Sequence, residues 1–158
     1  MTITLTINGV RKALEIEPGD RLSDLLRREG YLGVKIGCSA GDCGACAVLL
    51  DGRAVNSCLV FAAKADGAEV VTVEGLEREG RLHPVQEAFL DEGGLQCGYC
   101  TPGMVISTVD LLSRNPDPTE AEIRRSLSGN LCRCTGYVKQ IRAVQRAAAA
   151  MKEGEEND

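Results

Sequence analysis

Apolar and polar residues alternate from the start of the chain: Ile3, Leu5 and Ile7 fall on one face of a strand, Thr4 and Thr6 on the other. Asn8-Gly9 suits a primed two-residue turn, and Leu14 and Ile16 carry the pattern back, so the first element is a predicted hairpin. Pro18-Gly19 breaks it. Asp20 is placed to cap a short helix with Leu22, Leu25 and Leu26 on its inner face and Gly30 as its stop. After a cysteine-rich stretch, Ala47 to Leu50 reads as a strand, Asp51-Gly52 as a second tight turn, and residues 70–73 as the last strand. Together these give a small mixed sheet with one helix.

Near residues 74–80 the period changes from two to between three and four, which is the register of helices. The change predicts two domains, residues 1–76 and residues 77–158. Pro84 opens a helix through Val85, Ala88, Phe89 and Leu90, and Pro102-Gly103 opens another through Val105, Ile106, Val109, Leu111 and Leu112. Asn115-Pro116-Asp117-Pro118 forces a turn. Thr119 with Glu122 makes a capping box for a third helix, with Ile123 and Leu127 inside and Gly129-Asn130 as its end. Ile141, Val144, Ala148 and Met151 stripe a last helix, ahead of an acidic and frayed tail over residues 153–158. The fold class is therefore α+β, a sheet domain followed by a four-helix bundle.

Composition narrows what fills these elements. The 158 residues are 44% hydrophobic but only 3% aromatic, without tryptophan, which is a thin core for two domains. Small domains of this kind need staples, and eight cysteines are present. The net charge of −5 comes without a basic cluster, which argues against a nucleic-acid or anionic-membrane partner and for a protein one. No basic leader or long apolar run stands at the start, so the expected location is cytoplasmic, with no membrane span. In a reducing compartment the thiols point to metal rather than disulfides.

Two cysteine groups differ in spacing, and there is no internal repeat. Cys38-x4-Cys43-x2-Cys46 with Cys58 further on has the spacing of plant-type [2Fe–2S] ferredoxins. Gly37, Gly41 and Gly44 give that loop the backbone freedom to turn thiolates and N–H groups toward one cluster. A zinc knuckle or a disulfide set is the alternative, although zinc usually takes two separated C-x2-C pairs. The second group is Cys97-x2-Cys100 with Cys132-x-Cys134, delivered by two loops at predicted helix ends. On chemistry alone it suits zinc and a cluster equally, because both accept four thiolates.

Four motifs decide between them. Val34-Lys35-Ile36-Gly37-Cys38, Gly41-Asp42-Cys43-Gly44-Ala45-Cys46, Gln96-Cys97-Gly98-Tyr99-Cys100-Thr101-Pro102-Gly103 and Gly129-Asn130-Leu131-Cys132-Arg133-Cys134-Thr135-Gly136-Tyr137 occur in that order. In this the chain resembles the iron–sulfur small subunit of the xanthine dehydrogenase family of molybdenum hydroxylases, over nearly its whole length. The resemblance implies a ferredoxin-like β-grasp domain, a four-helix bundle, and a [2Fe–2S] cluster in each. It implies an oxidoreductase complex, a heterotrimer or its dimer, with a large molybdenum-pterin subunit and a medium FAD subunit. The cluster on Cys97, Cys100, Cys132 and Cys134 would lie beside the pterin, and that on Cys38, Cys43, Cys46 and Cys58 nearer the FAD. Gln96 would hydrogen-bond the pterin, and the Cys134 sulfur would approach its amino group. The competing readings are a diffusible ferredoxin and a zinc-organised interaction module.

Three other residues invite a functional role. His83, the single histidine, precedes Pro84 and reads as a helix flank rather than a ligand, since each quartet is already filled by cysteine. Arg133 sits between two ligands, where its charge would favour a reduced cluster or pair with a partner, or would simply be solvated. Lys35 is a loop lysine beside the first cluster motif. No nucleophile triad, phosphate loop or dinucleotide fingerprint is present, so catalysis on substrate belongs to other subunits.

Overall fold

The computed structural model describes residues 1–155. The N-terminal alternation forms β1 (Thr2–Ile7), paired antiparallel with β2 (Val10–Glu15) around Asn8-Gly9. Asn8 and Gly9 both take positive φ, at 50° and 80°, as a primed turn requires. The sheet is completed by β3 (Ala47–Leu50), β4 (Arg53–Asn56) and β5 (Glu69–Val71) in the order β2-β1-β5-β3-β4. The first and last strands run parallel at its centre, and α1 (Leu22–Arg28) packs Leu22, Leu25 and Leu26 against Ile3, Leu5, Ile7 and Val70, giving the β-grasp arrangement.

Three details of this domain depart from the sequence reading. Asp20 does not cap α1, which begins after Arg21 with no side-chain cap. The Asp20 carboxylate instead accepts from the Glu17 N–H at 3.1 Å and from Arg28 at 3.2 Å, closing the Pro18-Gly19 turn. The last strand stops at Val71, because the Asn8 side chain takes the next residue out of the ladder: Asn8 Oδ1 accepts from Thr72 N at 2.9 Å and Asn8 Nδ2 donates to Thr72 Oγ1 at 3.0 Å. A 3₁₀ turn over Val73–Leu76 follows. The edge strand β4 carried too short and mixed a pattern to be anticipated.

Helices α2 (Pro84–Asp91), α3 (Thr101–Arg114), α4 (Glu120–Leu127) and α5 (Val138–Glu155) form the bundle. Thr119 and Glu122 complete the capping box expected for α4. Val85, Ala88 and Phe89 are buried, but Leu90 is turned out to solvent, one residue step past the inner stripe. The last helix continues through Glu155, so residues 153–155 are helical rather than frayed, and residues 156–158 lie outside the described residues.

The strand β3 joins the two halves. Its residues alternate: Val48 lies in the core under α1, whereas Ala47 and Leu49 lie in the core of the bundle. A strand covered on both faces reads as a continuous apolar run, which is how Ala-Val-Leu-Leu appears in the sequence. Across the same junction Arg53 reaches the buried Asp110 carboxylate at 3.2 Å, and Arg114, one turn along α3, holds its other oxygen at 2.7 Å.

Candidate iron–sulfur centres

The first cysteine loop is held in shape by hydrogen bonds to its own backbone. Asn56 Nδ2 donates to Gly41 O at 2.7 Å, Ser57 Oγ to Cys46 O at 2.6 Å, and Arg21 Nη1 to both Ser39 O and Cys58 O, at 3.0 and 2.5 Å. Within the loop the sulfurs are the acceptors. Cys38 Sγ receives the N–H groups of Ala40, Asp42 and Cys43 at 3.3, 3.3 and 3.4 Å, and Cys43 Sγ receives the Cys38 N–H at 3.4 Å. Those bonds, from Ala40 first and then Cys43, lower the Cys38 thiol from its ordinary value to about 7.

Glycine is required where this loop is tightest. A Cβ on Gly37 would stand 2.6 Å from Cys43 Sγ, and one on Gly41, whose φ is +86°, would collide with Leu59. The loop is thus a cradle that a side chain would fill, with N–H groups aimed at thiolate positions, and its donor set fits a [2Fe–2S] cluster. Cys46 and Cys58 close it from the buried side. Burial pushes the Cys46 thiol up to about 11, so iron must displace a proton there.

In the bundle, Cys97 and Cys100 precede α3, with Cys100 at its N-terminal boundary and no side-chain cap, and Cys132 and Cys134 lie between α4 and α5. Cys97 and Cys134 are exposed with their sulfurs 3.6 Å apart, while Cys100 and Cys132 are half-buried. Burial pushes Cys100 up to about 12, and contact with Cys97 raises Cys134. Cys132 is lowered: burial works against this, but a hydrogen bond with the Thr135 hydroxyl and backbone N–H groups outweigh it. The quartet therefore has an outward pair and an inward pair. Among the described residues no three His, Cys, Asp or Glu side chains are gathered as a site for a single metal ion.

The quartet borders the first loop. Gly37, Cys43 and Ala45 share a cavity of about 180 Å³ with Cys97, Cys100, Cys132, Cys134 and Tyr99. Its walls are fastened across the two domains: Leu131 N donates to Cys43 O at 2.9 Å, Asn130 Nδ2 to Gly44 O at 3.3 Å, and Tyr99 Oη to Ile36 O at 2.6 Å. A Cβ on Gly103 would collide with the Gly44 carbonyl, so glycine in the first turn of α3 permits the contact. Tyr137, at φ +69°, supports the same wall: its hydroxyl donates to Asn130 O and accepts from Cys132 N, both at 2.8 Å. Neither role is legible in the sequence: Asn130 meets Gly44 across 86 positions, and Tyr137 reaches Asn130 and Cys132 only through the fold of an irregular loop that no periodicity records.

The remaining sequence-predicted residues fall as follows. Gln96 is exposed beside Cys97, on the outward side of the bundle quartet. Arg133 is exposed at the cavity rim, and Lys35 is half-buried beneath the first loop. His83 is a helix cap: its Nδ1 accepts from Val85 N at 3.2 Å, and its own N–H donates to Gln86 Oε1 at 2.9 Å.

Fold and cysteine sets together define an iron–sulfur protein of two cluster-binding modules. Residues 5–73 match the model of the 2Fe-2S iron-sulfur cluster binding domain, and residues 72–145 match that of the [2Fe-2S] binding domain. The chain is 48% identical over 148 residues to the nicotinate dehydrogenase small FeS subunit of Eubacterium barkeri, covering 93% of this chain and 94% of that one. It is 50% identical over 146 residues to the xanthine dehydrogenase iron-sulfur-binding subunit of Escherichia coli O157:H7, covering 91% and 92%. The crystal structure of quinoline 2-oxidoreductase from Pseudomonas putida 86 superposes with a TM-score of 0.93 at 44% identity, over 98% of each chain. The chain belongs to the iron–sulfur small subunits of the xanthine dehydrogenase, or molybdenum hydroxylase, family, and is an oxidoreductase subunit that transfers electrons through 2Fe-2S centres. Among the described residues no helix is long and apolar enough to cross a membrane.

Proposed function

We propose that this chain relays electrons between the molybdenum-pterin centre of a large subunit and the FAD of a medium subunit, through one [2Fe–2S] cluster in each of two domains, residues 1–76 and 77–158. When bound, each cluster takes up and gives up one electron. The sheet-domain cluster is held by Cys38, Cys43, Cys46 and Cys58, and the bundle cluster by Cys97, Cys100, Cys132 and Cys134. Gln96 and Cys134 meet the pterin. The assembly is a heterotrimer or its dimer in the cytoplasm.

The observation that carries this reading is the cavity shared by Cys43 and the bundle quartet. It supports the reading because residues of both cysteine sets line it, while Cys97 and Cys134 are exposed beside the exposed Gln96. Such a chain can pass charge inward from an exposed sulfur edge to the sheet domain. The names of its relatives, each a subunit, support partners for the outward edge.

The test is Gln96→Leu in the reconstituted complex, with the bundle-cluster signal followed after rapid mixing with substrate. Both clusters should assemble while a polar contact at the junction is lost. An unmatched buried polar group costs about 1–3 kcal/mol, enough to slow the first transfer or weaken docking. Unchanged transfer and unchanged assembly would put the pterin elsewhere.

A further inference from the structure

Gln140 is fully buried on α5, and its amide joins the two loops that carry the bundle quartet. Its Nε2 donates to Gly94 O and to Thr135 Oγ1, both at 2.6 Å. A backbone carbonyl only accepts, so the amide end facing Gly94 is the NH₂ group, and its second hydrogen goes to Thr135. The Thr135 oxygen is thereby an acceptor from Gln140, which leaves its own single hydrogen for another partner. Cys132 Sγ lies 3.0 Å from it. A cysteine that ligates iron is a thiolate with no proton to give, so the hydroxyl is the donor.

The cost of this arrangement is visible. Gln140 Oε1 is buried without a partner. An apolar side chain of similar size would remove that orphan oxygen but leave the buried Gly94 carbonyl without its donor, one orphan for another, so net stability is a weak reason for an amide here. Orientation of the Thr135 hydroxyl is a stronger one.

We propose that Gln140 is a positioning residue that raises the reduction potential of the bundle cluster by committing the Thr135 hydroxyl hydrogen to the Cys132 sulfur. Reduction adds negative charge that spreads onto the ligand sulfurs, and a hydrogen bond to sulfur favours the state with more of it. Without Gln140 the hydroxyl is free to turn away, and the sulfur loses its donor for part of the time. Through Gly94 the same amide also holds the segment leading to Gln96 and Cys97. The inference rests on the bundle quartet holding a [2Fe–2S] cluster, as proposed above.

The full chain, loaded with both clusters, is titrated with reductant while its two electron paramagnetic resonance signals are followed. Gln140→Leu is expected to shift the midpoint of the bundle signal to lower potential and leave the sheet-domain midpoint in place. Thr135→Val shifts it the same way, and Thr135→Ser, which keeps the hydroxyl, restores it. Gln140→Leu combined with Thr135→Val lowers the midpoint no further than Thr135→Val alone, because the amide acts through the hydroxyl. If Gln140→Leu does not fold, Gln140→Glu keeps the shape but offers an acceptor that competes for the Thr135 hydrogen, and the bundle midpoint again falls. A wild-type midpoint in whichever Gln140 variant folds, or fully additive shifts in the double variant, overturns the inference. A wild-type chain with no bundle signal overturns the underlying cluster assignment instead, and the inference with it.

Discussion

The backbone N–H of Leu131 donates a 2.9 Å hydrogen bond to the carbonyl of Cys43. The residue before one expected ligand, Cys132, is thereby tied to the peptide of another, in a different domain. Asn130 and Tyr99 make parallel ties from the same side, so the wall between the two cysteine sets is a built contact and not a chance approach. Its predicted consequences can be measured.

Gly103→Ala should loosen this wall. In an exposed helix interior the change would gain about 1 kcal/mol of helix propensity. Here the added methyl meets the Gly44 carbonyl, backbone of the other domain that cannot swing aside, and overpacking of this kind costs about 1–3 kcal/mol. The steric effect should win. A lower denaturation midpoint and slower electron equilibration between the two clusters are expected; a gain in stability would show that the contact yields easily.

Iron content tests the two quartets directly. The purified chain should carry about four iron and four sulfide atoms. Cys43→Ser should remove the sheet-domain signal and leave the bundle signal, since the substitution keeps the carbonyl that Leu131 uses. Stoichiometric zinc in protein made with ample iron would exclude the cluster reading.

Tyr137→Phe removes the hydroxyl that bridges Asn130 O and Cys132 N. The carbonyl of buried Asn130 and the N–H of half-buried Cys132 lose their partner, at a cost of about 1–3 kcal/mol if water cannot replace it and less where it can. Bleaching of the bundle cluster in chelator is expected to accelerate while the sheet-domain cluster keeps its rate. Equal rates in mutant and wild type would mean that Tyr137 does not hold the loop.

His83 should make stability depend on pH. Burial first, and the charge of Arg78 second, hold its pKa below the ordinary 6.5, and its Nδ1 must stay unprotonated to accept from Val85. Around that window the unfolded chain binds the extra proton, so the contribution is present above 6.5 and is lost as pH falls through the lower, folded-state value. Asn caps a helix without titrating. Urea midpoints at about pH 7.5 and about pH 5 should therefore fall more for wild type than for His83→Asn. Parallel losses would assign the pH effect to other groups.

Much of this protein is legible in one dimension. Alternation at Ile3, Leu5 and Ile7, the Asn8-Gly9 turn, the Thr119–Glu122 capping box and the cysteine spacings are local rules, set by residues within a few positions of each other. Local rules failed where another group, near or distant, competed for the same side chain. Asp20 closes a turn with Glu17 and Arg28 instead of capping α1, and Asn8 reaches across 64 positions to bind Thr72 and end the last strand at Val71.

The sequence by itself determined the elements and the two sets of cysteines, because strand period, helix period and ligand spacing are properties of neighbouring residues. Only the tertiary structure decided how those sets face each other. That Cys43 meets Leu131, that Gly44 fits against Gly103, and that Gln140 spans Gly94 and Thr135 are contacts between segments brought together by packing. No periodicity records them, since which surfaces meet depends on the summed burial of both cores and on β3, whose two faces belong to one core each.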